Sequence, residues 1–291
     1  MIKRVQILLI LIISSLSAKA APIGGEVYYR HLKNMEYEVT IVAYRDCRAG
    51  PIGLFDLFIT NDSFSVSTKT TRVKIEDLSV FCSTKPCTPS NTTVGKDGIE
   101  AHYYLDTIDF NSGFFKLFVS KKNCTVNFGL NTCCRNGAIT TITQGAIYYD
   151  AMLNLCAAVK SPINSPRIIN KPSNQIPCNQ TYSESYAADG YLIGDSVGYE
   201  LVKAQSGYKL TETYSGSYSA TLPLTPFCVP VGSINCVPNL TNLPIRGINF
   251  NNQNGNFITT PSNCAEVPVI VVQVNLYDCQ KACTSIRNIV N

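Results

Sequence analysis

Two adjacent cysteines, in the run Cys133-Cys134-Arg135-Asn136-Gly137, constrain this chain more than any other feature. When neighbouring cysteines bond to each other, the small ring strains the peptide and the disulfide torsion. If both are oxidised, each is therefore expected to reach a different distant cysteine, so that two staples meet at one point. Such a knot implies a cross-linked scaffold, and a cross-linked scaffold implies an oxidising compartment.

The start of the chain agrees with export. Lys3 and Arg4 form a charged beginning, residues 7–13 are unbroken apolar, and Ala18-Lys19-Ala20 is an A-x-A cleavage site. Residues 1–20 thus read as a signal peptide, with the mature chain starting at Ala21. The apolar run is too short to span a membrane, and the later apolar stretch 267–274 is only strand-length. No membrane span is expected after cleavage. Cleavage removes three of the 24 Lys and Arg and none of the 20 Asp and Glu, so the basic excess nearly vanishes. No Lys/Arg cluster with interleaved aromatics occurs, which sets aside a nucleic-acid partner. All thirteen cysteines follow the cleavage site, and the odd count leaves at least one free or paired with another chain.

The rest of the sequence favours strands and turns. There is no tryptophan, while Tyr, Thr, Asn, Ser and Val are abundant. Residues 26–30 and 37–44 form a hairpin around Lys33-Asn34. Tyr37, Val39, Ile41 and Ala43 share one face; Glu38, Thr40, Val42 and Tyr44 share the other. Further strands are expected at 54–60, 66–75, 99–108, 113–120, 138–143, 199–203, 217–222, 247–250, 256–260 and 267–276. Asn254-Gly255 signals a type I′ turn, and 147–159 is the best helix candidate. Pro162, Pro166, Pro172 and Pro177 mark a connector. This gives an all-β fold of two disulfide-bearing β-sandwich domains, 21–172 and 173–291.

Chemistry is sparse. Only His31 and His102 could serve a Cys-His hydrolase, and both read better as surface or packed residues. Scattered carboxylates neither support nor exclude a glycosidase pair. No P-loop, GxGxxG, GxSxG or HExxH pattern occurs. Cys82/Cys87 and Cys279/Cys283 have spacings that suit zinc, yet no histidine lies near either pair, and local disulfide loops are the better reading. Cys124 is expected to close a hairpin to Cys133, leaving Cys134 for Cys47 or Cys156, and Cys228 to close a loop with Cys236; spacing alone does not fix the pairing. Arg45 is expected to pair with a carboxylate, and Asp46 or Asn136 to cap a turn. No catalytic, cofactor-binding or metal-binding residue is assigned. Asn61, Asn91, Asn123, Asn179 and Asn239 head Asn-x-Ser/Thr sequons.

A sequence of motifs then carries a resemblance. It runs through Gly24-Gly25-Glu26-Val27-Tyr28-Tyr29-Arg30, Tyr37-Glu38-Val39-Thr40, Tyr44-Arg45-Asp46-Cys47, Cys133-Cys134-Arg135-Asn136, Tyr149-Asp150-Ala151-Met152-Leu153-Asn154 and Ser161-Pro162. It continues in Cys178-Asn179-Gln180, in Tyr218-Ser219-Ala220-Thr221-Leu222-Pro223-Leu224 and in Gly255-Asn256-Phe257-Ile258-Thr259-Thr260-Pro261. In this order the chain resembles the N-terminal region of gliding-motility-associated and adhesin-like surface proteins of Bacteroidota. The resemblance implies immunoglobulin- or cadherin-like sandwiches in a secreted or cell-surface, non-enzymatic protein. It also directs attention to Asp189 and Asp195, where related modules carry a denser acidic calcium run; two carboxylates alone are too few for a strong site. Asp106-Thr107-Ile108 and Asp195-Ser196-Val197 resemble the short O-glycosylation motif of that group, at Thr107 and Ser196.

The expected work is adhesion or display, with other surface proteins or extracellular glycans as partners and no cofactor. Exposed tyrosines offer large contact area at low entropic cost. The alternative is a secreted carbohydrate-active enzyme or its carbohydrate-binding accessory module. A third reading is an assembly partner that docks through a free cysteine or an edge strand.

Overall fold

Alternation along the first hairpin sets the first layer of the fold. The computed structural model describes residues 22–47, 49–78, 98–119, 124–143, 145–159, 163–171, 176–189, 196–233 and 235–277, and the backbone of 284–290. Strand β1 (Gly24–Lys33) turns through Asn34 and Met35 into β2 (Glu36–Asp46). Asn34 adopts φ 49°, a left-handed conformation that asparagine tolerates in tight turns. Tyr37, Val39, Ile41 and Ala43 enter the main core, and Val42 and Tyr44 pack on the opposite face, as the alternation predicts.

The chain continues through β3 (Asp56–Thr60), β4 (Ser65–Lys69), β5 (Thr71–Asp77), β6 (Ile99–Asp109), β7 (Thr125–Thr132) and β8 (Ile147–Asn154). A single helical turn, α1 (Leu155–Ala158), follows, with the Asn154 side chain accepting from the Ala157 N–H at 3.1 Å. Later come β9 (Arg167–Ile168), β10 (Tyr182–Ser185), β11 (Ala188–Asp189), β12 (Ser196–Leu201), β13 (Gln205–Gly207) and β14 (Leu210–Thr211). The last four are β15 (Ile248–Phe250), β16 (Asn256–Thr259), β17 (Ile270–Tyr277) and β18 (Thr284–Val290).

The largest sheet is antiparallel, in the order β4-β3-β7-β8-β18-β1-β2-β6-β5, with β12, β13, β14 and β17 attached off this path. It bends back on itself so that Leu57, Phe128, Tyr149 and Leu153 from one wing meet Tyr29, Tyr37, Ile41 and Tyr104 from the other. The Tyr29 and Phe128 rings lie 5.5 Å apart across this junction. The result is a sandwich, with the inner-facing residues of the two wings forming its core. Gly25 permits the closest approach: a Cβ there would lie 2.4 Å from the Tyr149 hydroxyl.

A second core forms between β12 and β17 and the small sheet β10-β16-β15, around Tyr199, Phe257, Ile270, Val272 and Val274. The apolar run 269–272, which leads into β17, has its reason here. Val269 and Val271 face the first core, while Ile270, Val272 and Val274 face the second. A strand buried on both faces is apolar at successive positions, and further along β17 Gln273 and Asn275 bond to each other at 2.8 Å. The large sheet therefore runs across the sequence division placed near residue 172, since β12, β17 and β18 belong to it.

Four local expectations change. Of residues 147–159 only 155–158 form a helical turn, and 147–154 are a strand: Ile147, Tyr149, Ala151 and Leu153 alternate into the core, and eight register pairs with β7 outweigh the helix-forming tendency of Ala, Met and Leu. Gly113–Val119 is a 3-10 helix, which places Phe118 in the core. Residues 138–143 and 217–222 form only isolated bridges, Ile142 to Tyr214 and Ser219 to Leu222. The β15–β16 connection is a five-residue loop, not a two-residue turn; Gly255 alone in it has positive φ, 71°, and Asn251 N–H closes onto Asn256 O.

The cysteines pair differently from the expected knot. Cys133 bonds to Cys134 itself. Two of the expected partners have taken each other: just past the end of the β7–β8 ladder the Cys124 carbonyl accepts from Leu155 N–H, and Cys124 is joined to the next residue, Cys156. Cys178 is joined to Cys264, a pair not anticipated, and Cys228 to Cys236. Cys47 is also disulfide-bonded. Cys82, Cys87, Cys279 and Cys283 lie outside the described residues, as do the signal segment 1–20, Asp195, Asn91, Asn123, Pro162 and Pro172. Several disulfides in one all-β chain mark an oxidising environment, and no helix among the described residues is long and apolar enough to cross a membrane.

Candidate recognition face

The outer face of β1-β2-β6-β5 gathers a set of aromatic and charged side chains. Antiparallel register places Glu26, Val42, Tyr103 and Lys74 in one row across the four strands. The flanking row holds Tyr28 and Thr40. Tyr44, Val42, Ile99 and Ala101 form a buried apolar floor, and Tyr28 and Tyr103 stand half-buried upon it.

Tyr103 is the hub. Its hydroxyl donates to Glu76 Oε2 at 2.6 Å, and Lys171 Nζ contacts the same hydroxyl. Lys74 Nζ lies 5.1 Å from the ring centroid and Lys171 Nζ, at the hydroxyl end, 5.2 Å from it, so two ammonium groups flank this tyrosine. Burial first, and then the neighbouring Glu76, raise the Tyr103 pKa, keeping the phenol a donor. Arg167 lies over Tyr28 at 5.9 Å and pairs with Asp189 at 3.1 Å.

Arg167 and Lys171 arrive on a strap, residues 163–171, laid along β1. Ser165 and Tyr29 exchange backbone and side-chain hydrogen bonds of 2.7 to 3.2 Å, and Asn164 Oδ1 accepts from His31 N–H at 2.9 Å. Ile168 enters the second core. Beneath the strap is Glu26, 6 % exposed. Burial raises its pKa to about 7, against the opposing pull of Lys171, the Ile168 N–H, Arg167 and Tyr44.

Other polar groups are structural. Arg45 Nε donates to Glu100 Oε2 at 2.9 Å and its Nη1 to the carbonyls of Ala49 and Gly50, the carboxylate pairing the sequence implied. His102 Nε2 meets the same carboxylate oxygen at 2.9 Å, and burial lowers the histidine's pKa. His31 Nε2 contacts Asn34 O within the first turn. Arg135 is buried, with Nη2 donating to Gln205 O at 2.8 Å, and Asn136 Oδ1 caps Ala138 N–H. Asn61 is buried, and its Oδ1 accepts from the Ser63 and Phe64 N–H groups of a turn. Asp189 is committed to Arg167. Thr107 and Ser196 are exposed.

A second, smaller feature is an open cavity of about 160 Å³ lined by Ser217, Tyr218, Leu222, Leu224 and Thr225. Glu266 fastens its wall, accepting from Thr225 N–H at 2.7 Å, Tyr218 Oη at 2.5 Å and Asn263 Nδ2 at 2.8 Å. Burial works against this carboxylate, but those hydrogen bonds prevail and hold its pKa below the usual range. Sequence reasoning missed both places, because their residues are far apart along the chain. No protein-family model, curated protein or solved structure matches the chain.

Proposed function

We propose that this chain is an exported structural and adhesive protein of the cell surface or extracellular space. It serves surface attachment or gliding motility, and it works by recognition rather than catalysis. The observation that supports this is the Tyr28–Tyr103 face: aromatic rings and both signs of charge set on a rigid, disulfide-bearing sheet. Fixed aromatic rings with flanking polar groups suit other surface proteins or extracellular glycans. The test is binding of the mature protein to a glycan array and to extracted surface proteins, compared with Tyr103→Ala and Lys171→Ala. Loss of a captured ligand of about tenfold or more in both variants, with the fold intact, is expected. Unchanged binding in both would overturn the assignment of this face.

The cavity beside Tyr218 favours a second reading, a carbohydrate-binding accessory module, because a tyrosine ring, two hydroxyls and two leucines surround a space of small-ligand size. Sugar binding abolished by Tyr218→Ala and untouched by Tyr103→Ala would select that reading.

A further inference from the structure

Among the described disulfides, Cys133–Cys134 is the one that fastens no loop. Its sequence separation is 1, against 32 for Cys124–Cys156, 86 for Cys178–Cys264 and 8 for Cys228–Cys236. Disulfides are held to stabilise folds mainly by restricting loops of the unfolded chain. A bond between neighbours restricts almost none. It also stands in solvent: Cys133 and Cys134 are both exposed, whereas each of the other three described disulfides has at least one cysteine withdrawn from solvent, Cys124 opposite an exposed Cys156, Cys178 opposite an exposed Cys264, and both Cys228 and Cys236. The residue that follows holds the segment from beneath. Arg135 is 3 % exposed, its N–H donates to Gly145 O at 2.8 Å, and its guanidinium reaches Gln205 O. A sulfur pair with no stapling role is thus presented outward on an anchored support.

We propose that Cys133–Cys134 is a thiol-exchange site, whose substrate is the thiolate of a low-mass thiol or of an exposed cysteine on a partner protein. The incoming thiolate attacks one Sγ, the S–S bond breaks, and a mixed disulfide forms. The neighbouring cysteine leaves as a thiolate. One disulfide replaces another, so no external oxidant or reductant is consumed. The released thiolate is held next to the mixed disulfide and can attack it in turn, reclosing the pair and expelling the thiol. The site therefore offers a reversible covalent tether that leaves the loop-closing staples alone.

The experiment exposes the intact mature protein to glutathione or, in parallel, to a cysteine-bearing peptide. Reaction is stopped with acid, and non-reduced digests are mapped by mass. Adducts are expected on Cys133 or Cys134 at least about tenfold faster than at the other three described disulfides. The double variant Cys133→Ser/Cys134→Ser is expected to lose them while keeping its near-UV tyrosine dichroism. Adducts with both probes support tethering to proteins, and adducts with glutathione alone support a low-mass thiol as substrate. A pair that stays closed while another disulfide opens, or equal rates at all four, overturns the proposal. The rates are read on the unsubstituted chain, so the test survives a variant that fails to fold.

Discussion

Replacing Glu26 with Gln isolates the cost of keeping a carboxylate under the strap. Burial raises the pKa of this side chain from 4.5 to about 7. The folded state therefore holds the proton more tightly than the unfolded state does. For this group, stability is highest below the unfolded pKa, falls as pH climbs toward 7 and is level above it. At 1.36 kcal/mol per pH unit, the fall amounts to roughly 3 kcal/mol. Glutamine cannot ionise, so the variant should lack it. Its amide N–H groups find few acceptors among Tyr44, Ile168 and Lys171, which lowers the variant's stability at every pH. The informative quantity is consequently the difference in slope between about pH 5 and pH 7. His102 titrates in the same window with the opposite sign, since its lowered pKa favours the fold as pH rises. Both proteins carry it, so it cancels. Urea unfolding followed by tyrosine emission suits a chain with 16 Tyr and no Trp. Parallel stability-against-pH curves for the two proteins would refute the reasoning.

Three further outcomes follow from packing and cross-links. Cys178→Ser/Cys264→Ser releases the longest described loop and should cost up to about 4–5 kcal/mol in urea unfolding, against about 2–3 kcal/mol for Cys228→Ser/Cys236→Ser; equal costs would contradict a loop-length origin. Phe128→Ala empties a fully buried site between Tyr29 and Phe110 and should lose about 3–5 kcal/mol, measured as a shift in urea midpoint at constant slope. Arg45→Met leaves Glu100 buried without its cation and should cost about 3–5 kcal/mol, most of it recovered by adding Glu100→Leu; a double variant as unstable as the single one would show that the pair's partners matter less than its volume.

How far the sequence carried varied with the range of the forces involved. The β1–β2 hairpin was legible residue by residue, because strict alternation and one turn asparagine are local signals. The apolar run in β17 was visible, but not its sharing between two cores, since that depends on what covers each face. Residues 147–159 misled because Ala151, Met152 and Leu153 favour helix locally while β7 claims them as a strand. Tyr28, Tyr103, Lys74, Lys171 and Glu76 meet only through sheet register and the strap. No spacing along the chain relates them. The adjacent cysteines were found at once, but their partnership was misjudged because Cys124 and Cys156 meet only once β7 and β8 have paired.

The placement of β18 bears on how the chain reaches this state. It is the last of the sheet's strands along the sequence, yet it lies in the middle of the order, between β8 and β1. Until it arrives, the sheet exists as two wings, β4-β3-β7-β8 and β1-β2-β6-β5, each built largely from strands that neighbour one another in sequence. Each wing then presents an open edge to solvent, a template for mispairing between molecules. Joining them requires contacts across most of the chain, which makes the final step slow by topology. A chain synthesised N-terminus first would spend that interval as two half-sheets, and a chaperone that shields the β1 and β8 edges would shorten its exposure to aggregation.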